Sequence, residues 1–158
     1  MRLYLMRHGE AQFGAVDDER PLTPEGRAGA ARAASALKRL QPGLQRILHS
    51  QKRRARETAE IVAAALGGSL PLEAMRGLEP EAEPSATAAR LLSEGVPTLV
   101  VGHLPHLPRL AALLVAGSPD RPLLQMPAAT LVALSNEDGP WRIVWHLPPG
   151  VLEDFDIQ

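Results

Sequence analysis

The chain has 158 residues, 45% of them hydrophobic, which is the length of one domain with enough apolar mass for a single buried core. A formal net charge of -1 and an aromatic content of 3% exclude a general electrostatic attraction to nucleic acid and leave little to stack on bases. Zero cysteines exclude disulfides, thiolate nucleophiles and cysteine-ligated metal sites, so histidines and carboxylates are the candidate reactive groups.

In chain order, Arg2-Leu3-Tyr4-Leu5-Met6 is an apolar run that stops at Arg7-His8-Gly9, which predicts a buried strand entering a turn. Thr23-Pro24-Glu25 predicts a helix start, with threonine as the cap and proline in the first turn. Ala30, Ala33, Ala34, Leu37 and Leu40 then recur at helical spacing until Pro42-Gly43. A second strand, Arg46-Ile47-Leu48, ends at His49-Ser50. Ser50 is expected to cap a helix with the inward face Ala55, Thr58, Ile61, Val62, Ala65 and Leu66, closed by Gly67-Gly68. Residues 69–75 hold a short third strand, 79–84 are loop by composition, and 85–94 form a short helix ended by Gly95. Residues 97–101 are the clearest buried strand, which runs into Gly102-His103 and a helix from Leu104 to Ala116. Residues 129–134 and 141–147, joined by the loop Asn136-Glu137-Asp138-Gly139-Pro140, predict a closing hairpin. The expected fold class is α/β, a three-layer α/β/α sandwich around a mixed, mostly parallel central sheet, with residues 1–158 as a single domain.

In open sheets of this class, ligands bind outside the carboxyl ends of the strands. His8 and His103 each follow an apolar strand beside a glycine, and Ser50 marks the matching end of a third. One cleft would therefore receive Arg7-His8, residues 50–56 and Gly102-His103. Lys52, Arg53, Arg54 and Arg56 crowd the first turns of a helix, where the backbone already carries partial positive charge. Alone, such a cluster is a solvated basic face; joined by Arg7 from a neighbouring strand end, it calls for a dianionic phosphate whose oxygens match guanidinium forks. Arginines beside an imidazole push it toward its neutral form, and a neutral imidazole nitrogen attacks phosphorus. Gly9 would leave room for the phosphate to approach the backbone. His103 and His106 stand three apart, a spacing that suits a metal, but Arg7 and Arg54 would repel a cation. No metal and no cofactor are expected. His49 and His106 are assigned as structural or rim residues, Glu10 as a loop anchor, and His146 is given no role.

Met6-Arg7-His8-Gly9-Glu10-Ala11 resembles the signature of the histidine phosphatase superfamily, which includes phosphoglycerate mutases. Arg20-Pro21-Leu22-Thr23 with Gly26, the segment from Ser50 through Arg54-Ala55 to Thr58, and Gly102-His103-Leu104-Pro105 agree with it in order and spacing. The resemblance spans nearly the whole chain and is strongest to the small SixA-type phosphohistidine phosphatases, which lack helical insertions over the pocket. It implies a phosphoglycerate mutase-like fold, His8 as nucleophile, and Arg7, Arg54 and His103 as the phosphate pocket. Arg54 is preferred to Arg53 because it keeps the family spacing to Ser50 and Thr58. Gly9, Arg20 and Ser50 are expected to bind phosphate or line its rim. Glu79, in Leu78-Glu79-Pro80, is the nearest match to the general acid of larger members, a group that SixA-type relatives manage without. Gln51 stands where the family often has proline, so the second helix is expected to start differently.

The expected activity is hydrolysis of a phosphoryl group, foremost protein phosphohistidine, through a covalent phosphohistidine on His8. The partner would be a phosphohistidine-carrying protein and the product inorganic phosphate, because short loops over residues 10–20 and 74–85 leave the pocket open. The rivals are a small-molecule phosphomonoesterase using the same four residues on a small phosphorylated substrate, and a phosphate- or phosphohistidine-binding module with slow turnover. No apolar stretch has spanning length and no secretory pattern opens the chain, so a cytoplasmic location without membrane or nucleic-acid partners is expected.

Overall fold

Period-two alternation builds the sheet. In a computed structural model, which describes residues 1–40 and 42–155, β1 (Arg2–Arg7) sends Leu3 and Leu5 to one face and Tyr4 and Met6 to the other. All four side chains are buried, and burial stabilises by about 1.5–3 kcal/mol for a side chain of this size. The remaining strands are β2 (Arg46–His49), β3 (Leu72–Ala74), β4 (Thr98–Gly102), β5 (Leu131–Ser135) and β6 (Arg142–Leu147), in the spatial order β3-β2-β4-β1-β5-β6. From β3 to β1 the pairs are parallel, whereas β5 and β6 are antiparallel. This is the expected mixed, mostly parallel α/β architecture.

Helices α1 (Pro24–Arg39), α2 (Arg53–Ala65) and α5 (Pro149–Phe155) cover the face that holds Tyr4 and Met6. Helices α3 (Pro84–Glu94) and α4 (His106–Ala116) cover the other. Among the described residues no helix is long and apolar enough to cross a membrane. Residues 41 and 156–158 of the expected 1–158 domain lie outside the described residues.

Three local expectations change. Leu40 caps the end of α1 and is exposed rather than facing inward. The N-cap of α2 is Lys52, without a side-chain cap, because the Ser50 hydroxyl is engaged elsewhere; Arg54, Ala59 and Ala63 join the inward face, while Ile61, Ala65 and Leu66 are only partly buried. Helix α5 was not expected, since Pro148-Pro149-Gly150 looks like a breaker although proline suits a first helical turn.

The turn after β1 meets α1 backbone to backbone. A Cβ on Gly9 would lie 2.5 Å from the Gly26 carbonyl oxygen, and one on Gly26 would lie 2.0 Å from that of Glu10. The space at Gly9 is thus filled by the first turn of α1 rather than kept for a phosphate. Thr23 fixes this contact as the cap of α1: its hydroxyl accepts the Gly26 amide at 2.9 Å while its own amide donates to Glu10 O at 3.0 Å. Gly26→Ala should therefore lower the unfolding free energy by about 1–3 kcal/mol or more, the range for overpacking, read as a drop in the urea midpoint; an unchanged midpoint would refute the contact.

Candidate active site

The parallel register brings three strand ends level. Arg7 of β1 pairs with Gly102 of β4, the His8 amide donates to Gly102 O at 3.0 Å, and the Ser50 amide after β2 donates to Val101 O at 3.0 Å. The His8 and His103 rings consequently lie 5.1 Å apart between centroids. His8 Nδ1 is 2.6 Å from Gly9 O, and a carbonyl can only accept, so Nδ1 holds the proton and Nε2 a lone pair. Arg54 Nε, from the first turn of α2, donates to that Nε2 at 3.3 Å. Thr58 ties the two elements together, accepting the Gly9 amide at 3.0 Å and donating to Arg54 O at 2.7 Å.

His103 Nε2 stands 2.7 Å from Ser50 Oγ, which also accepts the Lys52 amide at 3.3 Å; this is where the expected helix cap is spent. His103 Nδ1 is buried and finds no hydrogen-bond partner among the described residues. Both imidazoles are held neutral. Burial is the main cause and lowers His8 to about 4 and His103 to about 3; Arg54 and Arg7 add to the effect at His8. Neighbouring arginines, the cause expected from the sequence, contribute less than loss of water; at His8 the Gly9 hydrogen bond works against them, and at His103 the neighbouring His8 precedes Arg54. Arg7 Nη1 donates to Met126 O at 3.1 Å, and its Nε is buried without a partner among the described residues.

The basic start of α2 proves to be answered largely from within the chain. Asp17, on a 3₁₀ turn (Asp17–Glu19), receives Arg54 Nη1 on its carbonyl at 2.9 Å, while its carboxylate meets Arg54 at 3.4 Å, Arg20 Nη1 at 3.1 Å and Lys52 Nζ at 2.6 Å. Lys52 also binds Asp18 at 2.5 Å, Arg53 pairs with the buried Glu57, and Arg56 with Glu60. Lys52, Arg20 and Arg54 hold the Asp17 carboxyl well below the usual carboxylate range, so it stays ionised.

A family model described as Histidine phosphatase superfamily (branch 1) matches residues 3–80. Phosphohistidine phosphatase SixA of Escherichia coli (strain K12) is 34% identical over 158 residues, covering 94% of either chain. The chain belongs to the histidine phosphatase superfamily. A solved structure of the protein histidine phosphatase SixA complexed with tungstate matches at a TM-score of 0.86 and 30% identity, covering 96% of this chain and 99% of that one. A phosphoserine phosphatase from Entamoeba histolytica in complex with 3-phosphoglyceric acid shares the fold, with a TM-score of 0.69 and 18% identity over 96% of this chain and 98% of its own.

In this histidine phosphatase the residues singled out by sequence thus divide. His8, Arg54, His103 and Ser50 form one contact group, and Arg20 reaches it through Asp17. Arg53 points to Glu57 instead, with Nε 2.8 Å from Oε1. Glu79 accepts the Gly77 amide at 2.9 Å and hydrogen-bonds none of the four expected pocket residues. His106 is buried against the Thr87 hydroxyl at 3.2 Å, and His49 donates to Ser50 O at 2.8 Å, so both act within the scaffold. Asp17, which meets Arg54, was not singled out by sequence, and Lys52 was singled out only as one of the basic cluster. Their signal was a run of acids, Asp17-Asp18-Glu19, in the same chain as a run of cations at a helix start.

Histidines 8, 103 and 106, lowered to about 4, 3 and 4 from 6.5, set a pH dependence of stability. Below pH 6.5 the unfolded chain takes up protons that the folded one refuses until pH 4, so stability is full above 6.5 and is lost on acidification through that window. The loss should approach about 1.4 kcal/mol per histidine for each pH unit. Urea unfolding at pH 7.5, about 5.5 and about 4.5 checks this, and a flat profile would refute the neutral buried rings.

Proposed function

We propose that this histidine phosphatase removes the phosphoryl group from phosphohistidine on a protein, taking it onto His8 Nε2. The observation that carries the proposal is the 2.6 Å contact of His8 Nδ1 with Gly9 O, which commits one nitrogen to donation and leaves the other as nucleophile. In the first step the Nε2 lone pair forms a bond to phosphorus as the bond from phosphorus to the substrate imidazole breaks; the departing nitrogen takes a proton from solvent. In the second step water attacks the phosphoryl group on His8, releasing inorganic phosphate and regenerating Nε2. Arg54 and Arg7 would hold the phosphoryl oxygens with His103 Nδ1–H, the tautomer obtained when the Ser50 hydroxyl donates to Nε2. The substrate class is supported by the ionised state of Asp17, the carboxyl group bonded to Arg54, which is therefore not an acid for an alkoxide leaving group, whereas a leaving imidazole can take its proton from solvent. The name of the Escherichia coli relative supports the same class. Residues 1–158 would act as one catalytic domain in the cytoplasm.

Rapid quench with a radiolabelled phosphohistidine protein should trap an acid-labile phosphoenzyme that maps to His8 and vanishes in His8→Ala. Arg54→Ala should lower kcat/KM by about a hundred- to a thousandfold, as expected for loss of one donor to developing charge. A label on another residue would end the mechanism, whereas faster turnover of simple phosphate esters would end only the assignment of substrate.

A further inference from the structure

Phe13 is 99% exposed, yet the segment that carries it is tied down. Ala11 bridges to Leu22, the Gln12 amide donates to Pro21 O at 2.8 Å, and Arg20 Nε donates to Gln12 O at 2.7 Å. The Arg20 guanidinium lies 5.9 Å from the centre of the Phe13 ring, the outer range of a cation–π contact, and the ring itself faces water. That guanidinium also binds Asp17, Asp17 binds Arg54, and Arg54 binds His8. The ring therefore stands on the rim of the site, a short chain of contacts from the nucleophile. Val16 on the same segment is exposed, as is Leu104, which follows His103 at the neighbouring strand end. Of the exposed acids in and beside this segment, Glu10 and Glu19 form no ion pair among the described residues, while Asp18 is paired with Lys52.

We infer that residues 11–22 form the docking surface for the protein that bears the phosphohistidine, with Phe13 as its anchor. The inference rests on the substrate proposed above. Free phosphohistidine would be consumed within the contacts of His8, Arg54 and His103 and has no body left to reach Phe13, whereas a folded protein presents surface around its modified ring. An exposed aromatic side chain on a backbone segment already pinned by Arg20 and Pro21 offers a partner a large apolar surface at little cost in chain ordering, and aromatic anchors tend to dominate binding energy. The acids beside it favour a partner whose phosphohistidine is flanked by basic residues among apolar ones.

The test compares two substrates, a histidine-containing phosphotransfer domain phosphorylated with phosphoramidate and free phosphohistidine, using the full chain. Phe13→Ala should raise KM for the protein about tenfold, equivalent to about 1.4 kcal/mol, leave turnover of free phosphohistidine unchanged, and be largely rescued by Phe13→Leu. Equal KM values for the variant and wild type on the protein would overturn the inference. So would a parallel loss on both substrates, which would make Phe13 part of the site itself, or a shift in sedimentation showing that the surface joins two copies of the chain. A wild-type enzyme inactive on both substrates would instead remove the proposed function, and the docking surface with it.

Discussion

A guanidinium with 5% of its surface exposed sits against an imidazole, and the surroundings are arranged to tolerate that buried charge. Arg54 lies in the first turn of α2, where the helix dipole opposes a cation. Its charge is answered by Asp17, 37 positions earlier in the chain, which offers both its carbonyl and its carboxylate. Lys52 and Arg20 converge on the same carboxylate, and Lys52 also meets Asp18, so three cations share two anions. His8 must then be neutral, because a second buried positive charge beside Arg54 would have neither water nor a counter-ion. The pocket folds with a surplus of positive charge, which is the electrostatic requirement for receiving a doubly charged phosphoryl group.

The backbone makes this arrangement reproducible. Level strand ends place His8 and His103 side by side without any contribution from their side chains, through amide contacts from His8 to Gly102 and from Ser50 to Val101. Side-chain hydroxyls then set direction: Thr58 links the His8 turn to α2, and Ser50 turns His103. Ala129 closes the opposite side, with its amide shared between Arg7 O and His8 O and its φ of 63° in the left-handed region, a strained conformation of the kind that gathers at functional sites.

Much of this was legible in the residues. The apolar runs ending at His8 and His103 marked both strands and, through the rule for strand ends, the site; the histidines needed no long-range information to be placed. The cluster at Lys52–Arg56 marked cations in need of partners, but most of those partners are acids of the chain itself. What it concealed was the source of the balance, because Asp17 and Asp18 sit in a segment with no periodicity, and pairing them with Lys52 requires a contact across 35 and 34 positions. Ser50 misled for a related reason: a serine before a helix is ordinarily a cap, and only the arrival of His103 from 53 positions away gives its hydroxyl a better partner. For Glu79 the sequence offers only its position, whereas the fold shows its carboxylate accepting the Gly77 amide.

The central position of β1 has a consequence for how the molecule comes into being. Its two neighbours in the sheet are β4, residues 98–102, and β5, residues 131–135, so this strand finds its partners only when segments far along the chain arrive. Until then Leu3, Tyr4, Leu5 and Met6 form a naked apolar ribbon with unpaired amides, the kind of segment that invites intermolecular association during synthesis. The backbone setting of the nucleophile, which draws on Gly102 at the end of β4 and Ala129 just before β5, is thus complete only when both of these distant strands have joined the sheet.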